Sequence, residues 1–164
     1  SWMLIYSPHL RVFLFYGGIM NIIFVCHGNI CRSPMAEYIM KYLLEDYHTE
    51  GVYVSSAGVS SEENGNDIYP PAKRMLKAHG IPFSSHRAHR ITDDEFNNSD
   101  LVIALDRSNL NALVRRFGKS SRIMMLLSRD VEDPWYTDDF ETAYEDILSG
   151  CKALLSEIRG DANL

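Results

Sequence analysis

At 164 residues and 46% hydrophobic content, the chain is long enough for one domain with a full core and leaves no length for a second. Its formal net charge of −6 and pI near 5.4 argue against nucleic acid as the main partner. Two of its 3 cysteines, Cys26 and Cys31, share one short stretch, a poor framework for structural disulfides and one that suits a reducing cytoplasm.

Residues 1–19 include the apolar run Val12 to Tyr16, closely preceded by Pro8, His9 and Arg11 and far too short to span a bilayer. A cleaved leader is the weaker reading, because no clear small-residue cleavage site follows. We read 1–19 as an extension outside the fold, 20–164 as a single domain, and no membrane partner. Ile22 to Val25 form a β-branched and aromatic run that predicts a strand buried on both faces. Ser33 and Pro34 then suit the N-cap and N1 of a helix, with Met35, Ala36, Ile39, Met40, Leu43, Leu44 and Tyr47 at helical spacing to about His48. Cys26 to Arg32 is left as a tight strand-to-helix loop.

Val52 to Ser56 predicts a second strand, ending in Ala57-Gly58 before a polar loop over 59–69. Pro70 and Pro71 open a helix with Ala72, Met75, Leu76 and His79 on one face, ended by Gly80 and Pro82. Thr92 and Glu95 make a capping box. Leu101 to Leu105 is the clearest buried strand; Leu110, Leu113, Val114 and Phe117 form a helical stripe that Gly118 stops. Ile123 to Leu127 predicts a fourth strand, Ser128 to Asp138 a loop, and Phe140 to Ile158 a final helix with Cys151 on its apolar face. Strands alternating with helices predict an α/β fold: an open four-stranded parallel sheet with helices on both faces. Ligands bind such sheets at the carboxyl ends of the strands, where the Cys26 loop lies.

A strand-to-helix loop aims successive backbone N–H groups and the positive helix end into one small space, which suits a phosphate or another oxyanion. In His27-Gly28-Asn29-Ile30-Cys31, Gly28 permits close backbone approach and Asn29 tolerates the left-handed region. Arg32 can present a planar fork of donors to two phosphate oxygens. A Cys26 thiolate beneath those N–H groups is stabilised and nucleophilic. The plain alternative is a small buried hydrophobe at a strand end, which the surrounding loop disfavours. A zinc site on Cys26, Cys31, His27, His86 and His89 is the weaker reading, because no second paired cluster follows.

Cys26-x5-Arg32-Ser33 resembles the signature of cysteine-dependent phosphatases. With Cys31, the Gly28-Asn29 pair, the Ser33-Pro34 start and Asp133-Pro134 late in the chain, it resembles the low-molecular-weight protein tyrosine phosphatases over residues 20 to about 159. Members begin almost directly with the first strand, which makes Met20 the natural start. The resemblance implies hydrolysis of phosphotyrosine in a protein substrate through a phosphocysteine on Cys26, with no metal or other cofactor. It implies Asp133 as general acid, and Trp135 and Tyr136 as walls for a flat phenyl ring; the plain reading of Asp133 is a turn-forming Asp-Pro in an acidic loop. It further implies that Ser33 donates to the departing thiolate, that Cys31 can close a disulfide shielding Cys26, and that His86, in Ser85-His86-Arg87-Ala88, is tied to the loop asparagine and serine. Asp106 either orients the loop or caps the next helix.

Three details depart from or refine the family pattern. Val59-Ser60-Ser61-Glu62-Glu63 stands where members often carry an aromatic residue, and its glutamates disfavour acidic flanking sequence. Thr137 and Asp138 stand where many relatives have glycine. Ile30 resembles tyrosine-selective members, whereas arginine-phosphate-selective relatives carry threonine there. Two rival functions remain: an arsenate reductase on the same fold, which needs more relay cysteines than Cys31 and Cys151, and a non-hydrolytic phosphocysteine carrier, which has no need of Asp133.

Overall fold

The computed structural model describes residues 18–161. The extension read over 1–19 falls almost wholly outside them. Four parallel strands, β1 (Met20–Cys26), β2 (Val52–Gly58), β3 (Leu101–Ala104) and β4 (Ile123–Met125), lie in the order β2-β1-β3-β4. Register pairs Cys26 with Gly58 on one side of β1 and Val25 with Ala104 on the other. The chain moves outward from β1 in opposite directions to β2 and to β3, so the order reverses beside the end of β1. That crevice holds the Cys26 loop.

Helices α1 (Arg32–Asp46), α2 (Pro70–Ala78) and α6 (Phe140–Arg159) cover one face; α3 (Asp93–Asn98) and α4 (Arg107–Phe117) cover the other. A short α5 (Pro134–Thr137) precedes α6. Alternation along β1 explains the two layers: Ile22 and Phe24 join Met35, Ile39, Ile147 and Leu155, while Ile23 and Val25 join Ile91, Phe96, Val102 and Leu113. The predicted sheet, capping box and Gly118 stop are all present, with Thr92 accepting from the Glu95 N–H and Glu95 reaching back to Thr92.

The first helix differs from expectation at both ends. The first helix starts at Arg32 with Cys31 at its N-cap and no side-chain cap bond, so Ser33 and Pro34 are its second and third residues. The reason is competition for the Ser33 hydroxyl, which the loop takes instead. Pro34 is still harmless in the first turn, where its missing N–H would have had no helical partner. The same helix ends at Asp46, two residues before His48, which takes φ 50.

Candidate active site

Strand β1 delivers Cys26 to its carboxyl end, 3% exposed, and the chain turns sharply over His27 to Cys31 into α1. Asn29 makes that turn with φ 61. Its backbone N–H points at the Cys26 sulfur, 3.3 Å away, and the Ser33 Oγ approaches the same sulfur to 3.0 Å. Gly28 keeps an ordinary φ, and its smallness matters for another reason: an added Cβ would lie 3.1 Å from the Glu63 side chain. Beneath the loop, a Cβ on Gly58 would come within 2.7 Å of the His27 carbonyl oxygen and 3.3 Å of the Asn29 nitrogen. β2 must end in glycine for the loop to settle on it.

Arg32 is only 2% exposed, and its guanidinium is clamped on several sides. Its Nη1 donates to Asp106 Oδ2 at 2.7 Å and to the Val131 carbonyl at 2.8 Å, and its Nη2 lies 3.3 Å from Asp133 Oδ2. Burial works against the cation, but its electrostatic interactions with Cys26, Asp133 and Asp106 outweigh it and hold the Arg32 pKa above its ordinary value. Both sequence readings of Asp106 hold at once. Its Oδ1 caps α4 by accepting from the Asn109 N–H at 2.7 Å while Oδ2 holds Arg32.

Asp133 is the N-cap of α5, accepting from the Trp135 N–H at 3.1 Å, and Pro134 stiffens it. Trp135 rests against Tyr69, their ring centroids 5.0 Å apart, and the Tyr69 N–H donates to the Ile30 carbonyl. Tyr69 thus packs beside the expected wall residue Trp135; the sequence does not point to it, because it lies 39 positions from Ile30 in an unremarkable loop. Tyr136 is 84% exposed and packs on no ring among the described residues. Asp138, where relatives often have glycine, takes the left-handed conformation with φ 58 to end α5.

On the other rim, His27 is exposed and its ring meets Glu62 at 3.1 Å. Asn29 is fully buried: its Nδ2 donates to Ser33 Oγ at 2.9 Å and Ser56 Oγ at 3.0 Å, and its Oδ1 accepts from the His89 N–H. His86 Nε2 lies 2.7 Å from the Asn29 carbonyl, which can only accept, so that nitrogen carries the ring proton. The bond expected from His86 to Ser33 is absent, because the Asn29 side chain occupies the serine instead. Cys31 is buried and free; burial, reinforced by Cys26 and Asp133 and opposed by Arg32, pushes its thiol pKa up. Among the described residues, no three of Cys26, Cys31, His27, His86 and His89 come within ligating distance of one another; the group that does is the exposed His79, Glu141 and Glu145.

This geometry has clear relatives. The family described as low molecular weight phosphotyrosine protein phosphatase matches residues 21–164. The chain belongs to that family. It is 34% identical to the low molecular weight protein-tyrosine-phosphatase YfkJ of Bacillus subtilis, covering 88% of this chain and 99% of that protein. The crystal structure of YfkJ superposes with a TM-score of 0.84 at 34% identity, over 88% of this chain and 97% of its own. The Gallus gallus low molecular weight phosphotyrosine protein phosphatase is 36% identical, over 86% of this chain and 97% of that protein. The structure titled DARP, drosophila arginine phosphatase, is also similar, with a TM-score of 0.77 and 32% identity over 84% and 96% of the two chains. As a member of this family the protein is a phosphatase, and no helix among its described residues is long and apolar enough to cross a membrane.

Proposed function

We propose that this phosphatase hydrolyses phosphotyrosine in proteins through a phosphocysteine at Cys26, with Arg32 and Asp133 as its partners and no metal. The observation that carries the reading is the convergence of the three: a buried sulfur and a buried guanidinium share one turn of chain, with the Asp133 carboxylate 3.3 Å from the guanidinium. The Cys26 thiolate attacks phosphorus in line with the aryl oxygen while loop N–H groups and Arg32 hold the equatorial oxygens. The S–P bond forms as the P–O bond breaks, and Asp133 gives its proton to the departing phenolate, whose conjugate acid has a pKa of about 10. Water, deprotonated by the same carboxylate, then attacks phosphorus and releases the thiolate, which the Ser33 hydroxyl receives.

Phosphotyrosine is favoured over phosphoarginine by Ile30 in the loop and by the Tyr69–Trp135 wall, which offers a flat ring an apolar face. A nucleophilic thiol of this kind belongs in a reducing cytoplasm. The arsenate reductase reading finds no support here: Cys151 is wholly buried in the core, where burial pushes its thiol pKa up and leaves it unable to relay a disulfide.

The test is hydrolysis of a phosphotyrosine peptide and a phosphoarginine peptide with excess chelator, using wild type and Cys26→Ser. Chelator-insensitive turnover of phosphotyrosine in wild type, abolished in Cys26→Ser, supports the reading. A phosphoarginine preference overturns the substrate, and an active serine variant overturns the mechanism.

A further inference from the structure

On the face of the sheet covered by α3 and α4 lies an open cleft of about 290 Å³ that the mechanism above does not use. Three arginines line it, Arg90 from the segment bridged to the end of β2 and Arg115 and Arg116 from the last turn of α4, and no acidic side chain does. The chain carries 22 acidic residues against 16 lysines and arginines, so a cleft lined by the minority sign alone stands apart from the rest of the surface. Its floor is apolar: Ile91 and Leu113 are buried, with Val59 and Phe117 half-buried beside them.

The three cations are not equivalent. Arg116 is engaged by the fold, its Nη1 donating to the Ile91 carbonyl, its Nη2 to Asp93 Oδ1 at 2.9 Å, and its Cζ standing 4.6 Å from the Phe117 ring centre. Arg90 and Arg115 are exposed, and among the described residues their guanidinium groups have no hydrogen-bond or ion-pair partner. The helix dipole accounts for arginines in the last turn of α4. It does not account for Arg90, which reaches the same cleft from another segment.

The cleft begins close to Cys26. Val59, on its wall, donates its backbone N–H to the Cys26 carbonyl at 2.9 Å, and the next N–H, of Ser60, donates to the His27 carbonyl at 3.1 Å. An extended chain advances about 3.3 Å per residue, so a peptide leaving the Cys26 loop over Val59 reaches the arginines within a few residues. The neighbouring rim repels acids, because Glu62 stands there against the His27 ring and Glu63 accepts from Asn66 Nδ2 at 2.7 Å. Acidic residues are thus turned from the glutamates toward the arginines.

We infer that this cleft docks an acidic segment of the phosphoprotein substrate, with one apolar side chain on the Ile91 and Leu113 floor and carboxylates on Arg90 and Arg115. The inference rests on the phosphotyrosine reading above. Each carboxylate meets the planar fork of an otherwise unpartnered guanidinium, and the apolar side chain leaves water.

The test compares two phosphotyrosine peptides with the same flank on both sides, Glu-Ser-Leu-Ser-Glu in one and Gln-Ser-Leu-Ser-Gln in the other. Alternation along an extended chain sets the two acids and the leucine on one face. Wild type is expected to show a KM about tenfold lower for the acidic peptide, with kcat within about twofold. Arg90→Glu/Arg115→Glu is expected to lose that preference and to keep KM for the neutral peptide within about twofold. Lys77→Glu/Lys152→Glu makes the same change of net charge on α2 and α6, which cover the opposite face, and is expected to keep the preference. Chemical shifts of the 15N-labelled protein, followed as unphosphorylated Glu-Ser-Leu-Ser-Glu is added, read the cleft apart from catalysis. The Ile91 amide and those of Leu113 to Phe117 are expected to move in wild type and not in the arginine variant. No preference in wild type, a preference kept in the arginine variant, one lost equally in the lysine variant, or unmoved cleft amides overturns the inference. Amides that move with no gain in KM assign the cleft to another acidic partner and overturn its substrate role. Failure of wild type to hydrolyse either peptide strikes the phosphotyrosine reading instead, and the amide shifts then decide whether an acidic segment binds.

Discussion

At the scale of single residues, the site depends on side chains that each hold two things at once. Asp106 caps α4 with one oxygen and holds Arg32 with the other, and Asp133 caps α5 while facing the same guanidinium. Its cap gives Asp133, the proposed proton donor, a fixed position, so its loss should matter in proportion to how badly the leaving group needs a proton. Asp133→Ala is expected to lower kcat/KM, which reports phosphoryl transfer to Cys26 and not the later hydrolysis, by roughly 10²-fold for a phosphotyrosine peptide, and by far less for p-nitrophenyl phosphate, whose phenol leaves readily as an anion. Equal losses on the two substrates would remove the acid role. The residues proposed to line the site were legible because Cys26, Asn29, Arg32 and Ser33 fall in one run of sequence. Ser56 was not, since its bond to the Asn29 side chain reaches the loop from β2 and leaves no local pattern.

At the scale of elements, the sheet was readable because β1 and β3 are continuous apolar runs, and no other packing buries both their faces. The start of α1 was misread for a physical reason: a serine before a proline is a good cap until a stronger partner claims its hydroxyl. The segment carrying His86 and His89 is tied to the start of α3 through His89 and Glu95, 2.8 Å apart. The Glu95 bond raises the His89 pKa against partial burial; burial opposes ionisation of Glu95, yet its bonds to His89 and Thr92 lower its pKa. The raised histidine contributes stability in full below its ordinary 6.5 and loses it as pH rises through its higher folded value. The lowered glutamate contributes above its ordinary 4.5 and loses it as pH falls through its lower one. The difference in Tm between wild type and Glu95→Gln is therefore expected to peak between these two values and shrink above neutrality. A difference that grows with pH contradicts the pairing.

At the scale of the whole molecule, a net charge of −6 surrounds the site that we propose holds an anion. Attraction must come from within the loop, from its N–H groups and the buried Arg32, and so belongs to a bound oxyanion rather than to salt in general. Phosphate at about 100 times its Kd should add about 2.7 kcal/mol to the folding stability, a rise in Tm of roughly 5–10 °C at this size. Arg32→Lys, which keeps the charge and loses the fork, should show much less of it. An equal rise in chloride of matched ionic strength would show that no site is involved. The order of strands and the crevice beside β1 follow from the alternation of apolar strands and helices. The residues that stiffen the crevice from outside could be found only once that order was known.

The most direct measurement is rapid acid quench of the Asp133→Ala variant turning over p-nitrophenyl phosphate, followed by mass analysis of the peptide that holds Cys26. That variant forms the intermediate with a leaving group that needs no acid and lacks the base to hydrolyse it. The account predicts one phosphoryl group on the Cys26 sulfur. A phosphoryl group on any other residue, or steady turnover with none on the protein, would contradict it.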